Sequence, residues 1–127
     1  MRLIGKIDPK LYLGLGAELT TDEVIITEER MLHIQERHPE DLERYSGYLE
    51  EIVCRPDYVL RDRRPFTAIV LKQISESGER FRLALRLATV QDSPGNKNSI
   101  LTFLHIREKE WNRLIRNKEI LYKPASS

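Results

Sequence analysis

Cysteine is almost absent. Cys54 is the only one in 127 residues, so no internal disulfide can form, and a reducing compartment is expected. The same scarcity excludes a zinc deaminase, which needs paired cysteines. No apolar run approaches the roughly 20 residues that cross a bilayer. Met1-Arg2-Leu3-Ile4-Gly5 meets Lys6 and Asp8 before a signal-peptide core could develop, so a cytoplasmic protein is expected. Glycine and proline number six each, too few for a collagen or a low-complexity tail. Gly14-Leu15-Gly16 lacks the third glycine of a dinucleotide loop, and no Gly-Lys-Ser/Thr phosphate loop occurs. His33 and His38 are five apart, roughly 140° around a helix, which does not present two zinc ligands on one face.

What is present is ordinary globular material, 40% hydrophobic and 32% charged. One domain over residues 1–127, with a core sufficient without staples, is expected. The net charge of +1 conceals an asymmetry. Residues 27–52 carry three basic and eight acidic groups, whereas residues 53–127 carry fifteen basic and eight acidic ones. A basic C-terminal half suits a polyanion, although solvated faces of unequal charge would look the same.

Gly5 to Leu15, with Leu11, Leu13 and Leu15 alternating, reads as extended, and residues 1–23 as an N-terminal extended segment. Val24-Ile25-Ile26 is a short apolar run. Thr27 can N-cap a helix whose first turn carries Glu28 and Glu29. That helix should stop near His38, because a residue before proline is pushed out of the helical region. Pro39 can open a second helix, with Leu42, Tyr45, Leu49, Ile52 and Val53 at helical spacing and Gly47 as its weak point. After Pro56 the period becomes two. Asp57–Arg61, Phe66–Ile74, Arg80–Val90 and Asn98–Ile106 read as four strands of an antiparallel meander. Glu108–Asn117, anchored by Trp111, Leu114 and Ile115, reads as a terminal helix. The class is α+β: two N-terminal helices packed on a four-stranded antiparallel sheet, with a C-terminal helix.

The polar residues left over suit one chemistry. His33 and His38 lie on the first helix and at the joint after it, and Arg37 is one turn beyond His33. Lys72 interrupts an apolar strand, which is costly unless it faces a cleft or a partner. Arg82 and Arg86 share a strand face, and Lys97, Asn98, Ser99 and Thr102 cluster on the last strand. Metal-free phosphodiester cleavage of RNA needs such a set. An imidazole with a pKa of about 6.5 moves the proton, while cations and hydroxyl or amide donors hold the pentavalent phosphate. Taken singly, each residue also has a structural explanation: a satisfied helix histidine, a snorkelling lysine, a solvated arginine face.

Four strings in succession carry a resemblance: His33-Ile34-x-x-Arg37-His38-Pro39, Pro56-Asp57-Tyr58-Val59-Leu60-x-Asp62, Thr67-Ala68-Ile69-Val70-Leu71-Lys72 and Lys97-Asn98-Ser99-Ile100-Leu101-Thr102. With the closing Ile120-Leu121-Tyr122, residues 24–122 resemble the phage-associated branch of the barnase–EndoU–colicin–RelE-like nucleases. The resemblance implies a bacterial or prophage-encoded, metal-independent endoribonuclease of toxin type. It would cut RNA, tRNA included, to a 2′,3′-cyclic phosphate, without a cofactor. It also implies catalytic roles for His33, His38, Lys72 and Thr102, with Ser99 as a phosphate donor beside Thr102. The residues read above add Arg37, Thr67, Arg82, Arg86, Lys97 and Asn98 as expected RNA contacts. An immunity or antitoxin protein is an implied partner. The alternatives are a catalytically inactive nucleic-acid-binding or phage-accessory module on the same fold, and a protein-docking domain. In one respect the sequence departs from the pattern: Arg63-Arg64-Pro65-Phe66 stands where a softer polar turn is expected.

Overall fold

The computed structural model describes residues 1–125, so the last two positions of the expected 1–127 domain lie outside it. The fold is α+β, but its sheet is larger than four strands. β1 (Arg2–Lys6), β2 (Glu23–Ile26), β3 (Tyr58–Arg61), β4 (Thr67–Gln73), β5 (Arg80–Arg86), β6 (Asn98–Ile106) and β7 (Ile120–Tyr122) form one sheet in the order β1-β2-β6-β5-β4-β3-β7. The expected antiparallel meander is its centre, β3 to β6. β2 adds to the β6 edge in parallel and carries β1 outside it, while β7 pairs with β3 on the other edge. The three extra strands are too short for a period-two pattern to stand out, and pairing is set by neighbours far along the chain.

Gly5–Leu15 is not one extended piece. β1 ends at Lys6, and Asp8 then caps a tight 3-10 turn over Pro9–Leu15, its carboxylate accepting from the Lys10 amide at 3.1 Å. Proline at the first position suits such a start. Tyr12 and Leu15, three apart, are the buried pair, which is the spacing a 3-10 turn places on one side. The alternation of leucines was therefore misleading.

Thr27 caps α1 (Glu28–Arg37) as expected, its hydroxyl accepting from the Arg30 amide at 3.1 Å. His38 leaves the helical region at φ −139° and ψ 68°, and Pro39 opens α2 (Pro39–Tyr45). The second helix does not run through to Val53. It breaks at Ser46–Tyr48, around Gly47, and resumes as α3 (Leu49–Cys54). The terminal helix α4 (Glu108–Asn117) forms where expected.

The sheet separates two apolar layers. On one face Ala68, Val70, Phe81, Leu83, Leu85, Ile100 and Phe103 pack against Ile34, Leu42, Leu49 and Ile52 of α1 to α3. On the other, Leu60, Ile69, Leu71 and Ile106 pack against Trp111 and Leu114 of α4. No helix among the described residues is long and apolar enough to cross a membrane.

Candidate nucleic-acid interface

α4 covers only part of its face. Beyond it, cross-strand pairing aligns Thr67 of β4 with Arg86 of β5, Arg86 with Ser99 of β6, and Ser99 with Ile25 of β2. Thr102, opposite Ala84, is the next position inward on the same side. In a regular strand, residues 99 and 102 would point to opposite faces. An irregularity in the β5–β6 register lets Leu101 be passed over, so Ser99 and Thr102 share the α4 face.

A cavity of about 280 Å³ opens here, lined by Ile25, Arg86, Leu87, Ala88, Asp92, Asn96, Lys97 and Ser99. Its origin is a parting of strands. β5 was expected to run to Val90, but it stops at Arg86. From there the chain turns to the segment before β2, where Thr20 N–H donates to the Ala88 carbonyl and Val90 N–H to that of Glu18. Asn98 fills the gap in the ladder. Its side-chain oxygen accepts from Ala88 N–H at 2.8 Å, and its amide nitrogen donates to the Thr21 and Glu23 carbonyls, each at 3.0 Å. Both amide hydrogens of this fully buried side chain are thus committed to the scaffold. Asn98 holds the wall of the cavity and has no free donor for a substrate.

The cations around the opening are held by carboxylates. Arg86 is paired with Asp92 at 2.9 Å, donates to the Leu87 carbonyl, and lies over the Phe66 ring at 5.5 Å. Lys97 is paired with Glu23. The Lys97 hydrogen bond holds Glu23 below the usual carboxylate range, and the Thr89 backbone amide, with Arg86 beside it, does the same for Asp92. Arg82 points to the same face but is paired with Glu110 of α4 at 2.9 Å, and Arg80 with Glu108 at 3.3 Å. The greasy-and-basic alternation of β5 therefore serves two ends: its first arginines dock α4, and the last reaches the cavity.

These lowered carboxylates fix the sign of the acid response. Groups whose folded-state pKa lies below the unfolded value contribute stability above roughly pH 4 and lose it as pH falls through the folded value. The melting temperature should be level from about pH 7 to pH 5 and fall below about pH 4. Circular dichroism melts across that range measure it, and a melting temperature that rises on acidification would contradict the pairing.

The remaining site candidates lie elsewhere. Lys72 is on the helix-bearing face of β4, its side chain 13% exposed, 3.6 Å from Asp57 and 3.9 Å from Glu51 of α3. Its charge is thereby compensated within the fold, the condition under which a lysine is tolerated in an apolar strand. His33 is half-buried on α1 beside Glu29, Arg30, Leu32 and Glu36. Arg37 is exposed at the end of that helix and His38 is half-buried at the joint. Neither imidazole, nor Lys72, lines the cavity. Thr67 is buried, its hydroxyl donating to the Pro65 carbonyl at 2.9 Å.

Three residues stand out that sequence reading passed over. Asp92 was legible only as part of a turn, and nothing local signals that it pairs with Arg86. Phe66 adopts φ 51°, the one non-glycine residue with positive φ among those described. His105, exposed at the far end of β6, lies tilted against the Tyr45 and Phe81 rings with centroids 5.3 and 5.2 Å away. A hydrogen bond to Glu79 pushes the nearby Tyr45 phenol up, and the same bond holds Glu79 down. Among the described residues, no three His, Cys, Asp or Glu side chains gather so as to hold a metal ion.

The sheet carries helices on both faces and has at one end a cavity lined by Arg86, Lys97, Ser99 and Asp92, its two cations each paired with a carboxylate. The family of such domains is specific. The model of the phage-Barnase-EndoU-ColicinE5/D-RelE like nuclease 2 family matches residues 4–123, and the chain belongs to that family. Neither a curated protein nor a solved structure matches it. The family is one of nucleases, which act on nucleic acid.

Proposed function

We propose that this protein is a metal-independent endoribonuclease of toxin type that binds RNA at the end of the sheet. The observation that supports it is the convergence of Arg86, Lys97 and Ser99 on one cavity of about 280 Å³, in a chain of a nuclease family. The volume suits a phosphate with part of its sugar, at the small end of ligand pockets. Arg86 and Lys97, once a phosphate displaces part of their pairing with Asp92 and Glu23, and the Ser99 hydroxyl can hold the charge that grows on phosphorus during transfer.

In the reaction proposed, a 2′-hydroxyl attacks the adjacent phosphorus and loses its proton to a base. The bond to the 5′-oxygen breaks, that oxygen takes a proton, and a 2′,3′-cyclic phosphate remains. His33 and His38 are the proposed proton carriers. α1 begins three residues after Ile25, which lines the cavity. α1 packs on the face of the sheet opposite the cavity, so RNA bound there reaches His33 only by passing round the sheet edge.

One observation favours a second reading, a binding module that does not cut: no imidazole lines the cavity itself. A single assay separates the two. Labelled single-stranded RNA and its 2′-deoxy counterpart are incubated with the protein in excess chelator. The nuclease reading expects cleavage of RNA alone, reduced about a hundredfold by His33→Ala or His38→Ala. Salt-sensitive binding without scission would establish the module instead. Equal cleavage of DNA, or cleavage untouched in both histidine variants, would reject the mechanism. Toxicity on expression in bacteria, relieved by His38→Ala, is the expected cellular counterpart.

A further inference from the structure

We propose that Phe66 is a stacking platform for an unpaired nucleobase, next to a phosphate seated between Arg86 and Lys97. The substrate strand is then single-stranded as it crosses the end of the sheet. The inference rests on the RNA-binding reading above and adds to it the form of the substrate and the residue that selects it.

Phe66 precedes Thr67, whose strand position is opposite Arg86, so it stands just beyond the row that ends in the cavity. Its φ of 51° lies in the left-handed region, which a bulky side chain avoids and a glycine would occupy without strain. The strained backbone is held in place: Leu87 N–H donates to the Phe66 carbonyl at 2.8 Å, and the Thr67 hydroxyl to that of Pro65 at 2.9 Å. The ring is not part of either apolar layer. It is half-buried, with the Arg86 guanidinium 5.5 Å from its centroid. The phenyl group lies outside both apolar layers and packs on Arg86 from a strained backbone, and strain of this kind collects at binding sites. Arg63 is exposed in the same turn. Cations tracking a backbone beside an aromatic face are what sequence-tolerant recognition of single strands requires. A base inside a duplex has both faces already covered by its neighbours and cannot use the ring.

The test is fluorescence anisotropy with a 2′-O-methyl RNA hexamer, which cannot be cleaved, as a single strand and annealed to its complement. The wild-type protein should prefer the single strand, and an abasic site at the stacked position should weaken binding roughly 5- to 150-fold. Phe66→Leu should weaken single-strand binding by a similar factor and make the abasic strand bind no worse than the intact one. Phe66→Trp should bind as tightly as wild type or tighter. Because no charge changes, the slope of affinity against salt should stay the same in all three proteins. If Phe66→Leu and abasic RNA bind as well as the wild-type pair while Arg86→Ala binds poorly, the platform is wrong and the RNA-binding reading stands. A preference for duplex also overturns the platform. No binding of any RNA by the wild-type protein overturns both. The abasic comparison uses the unmodified protein, so equal binding of abasic and intact RNA overturns the platform even if the leucine variant does not fold, and Phe66→Trp then assigns any loss to this ring.

Discussion

Replacing Arg86 by alanine is expected to lower RNA cleavage by about a hundredfold to a thousandfold, the range seen when one preorganised donor to a transition-state oxyanion is lost. Arg86 is the cation at the centre of the proposed site: it lines the cavity, is aligned across the sheet with Thr67 and Ser99, and lies against Phe66. Its pairing with Asp92 at 2.9 Å aims the guanidinium without consuming all five of its donors. The side chain is 35% exposed, so losing the ion pair should cost the fold little. Arg86→Lys is the informative companion. It keeps the charge but loses the planar fork, and should recover binding better than rate. Rates measured at saturating RNA, with melting temperatures for each variant, separate the two effects. An alanine variant that cuts at the wild-type rate would remove the cavity from the mechanism.

Asn98→Ala should be the most damaging single change to the fold near the site, by roughly 2–5 kcal/mol. The side chain is fully buried and makes three hydrogen bonds, to Ala88, Thr21 and Glu23. Alanine leaves one backbone amide and two carbonyls without those partners, and each unsatisfied buried group costs about 1–3 kcal/mol unless water reaches it. Urea unfolding measures the loss. Because Asn98 bridges the strands that part to form the cavity, RNA affinity should fall as well, but at a temperature where the variant is folded the fall should be smaller than for Arg86→Ala. An Asn98→Ala protein as stable as wild type, with affinity lost as completely as in Arg86→Ala, would make Asn98 a direct RNA contact and contradict its place in the scaffold.

The two residues show where sequence reading succeeds and where it stops. Asn98 and Arg86 were both legible as polar groups on strands facing one another, and both were assigned to the substrate. Only the pairing of Ala88 with the segment before β2, instead of with β6, turns one into a staple and leaves the other at an opening. The histidines illustrate the same limit. Thr27 and Pro39 marked the helix boundaries around His33 and His38 correctly, but not the side of the sheet on which the helices would pack relative to Arg86 and Ser99.

The order of α1, the meander and α4, the break before Pro39 and the alternating faces of β5 follow from the sequence alone, because caps, prolines and hydrophobic period act over a few residues and are written locally. So is the succession of strings that links the chain to a nuclease family. The closure of the sheet by β1, β2 and β7, the skipped residue that brings Ser99 beside Thr102, and the cavity itself came only with the tertiary structure. They depend on backbone hydrogen bonds between segments up to about seventy residues apart, whose register is chosen by burial on both faces at once. No short window of residues contains that choice.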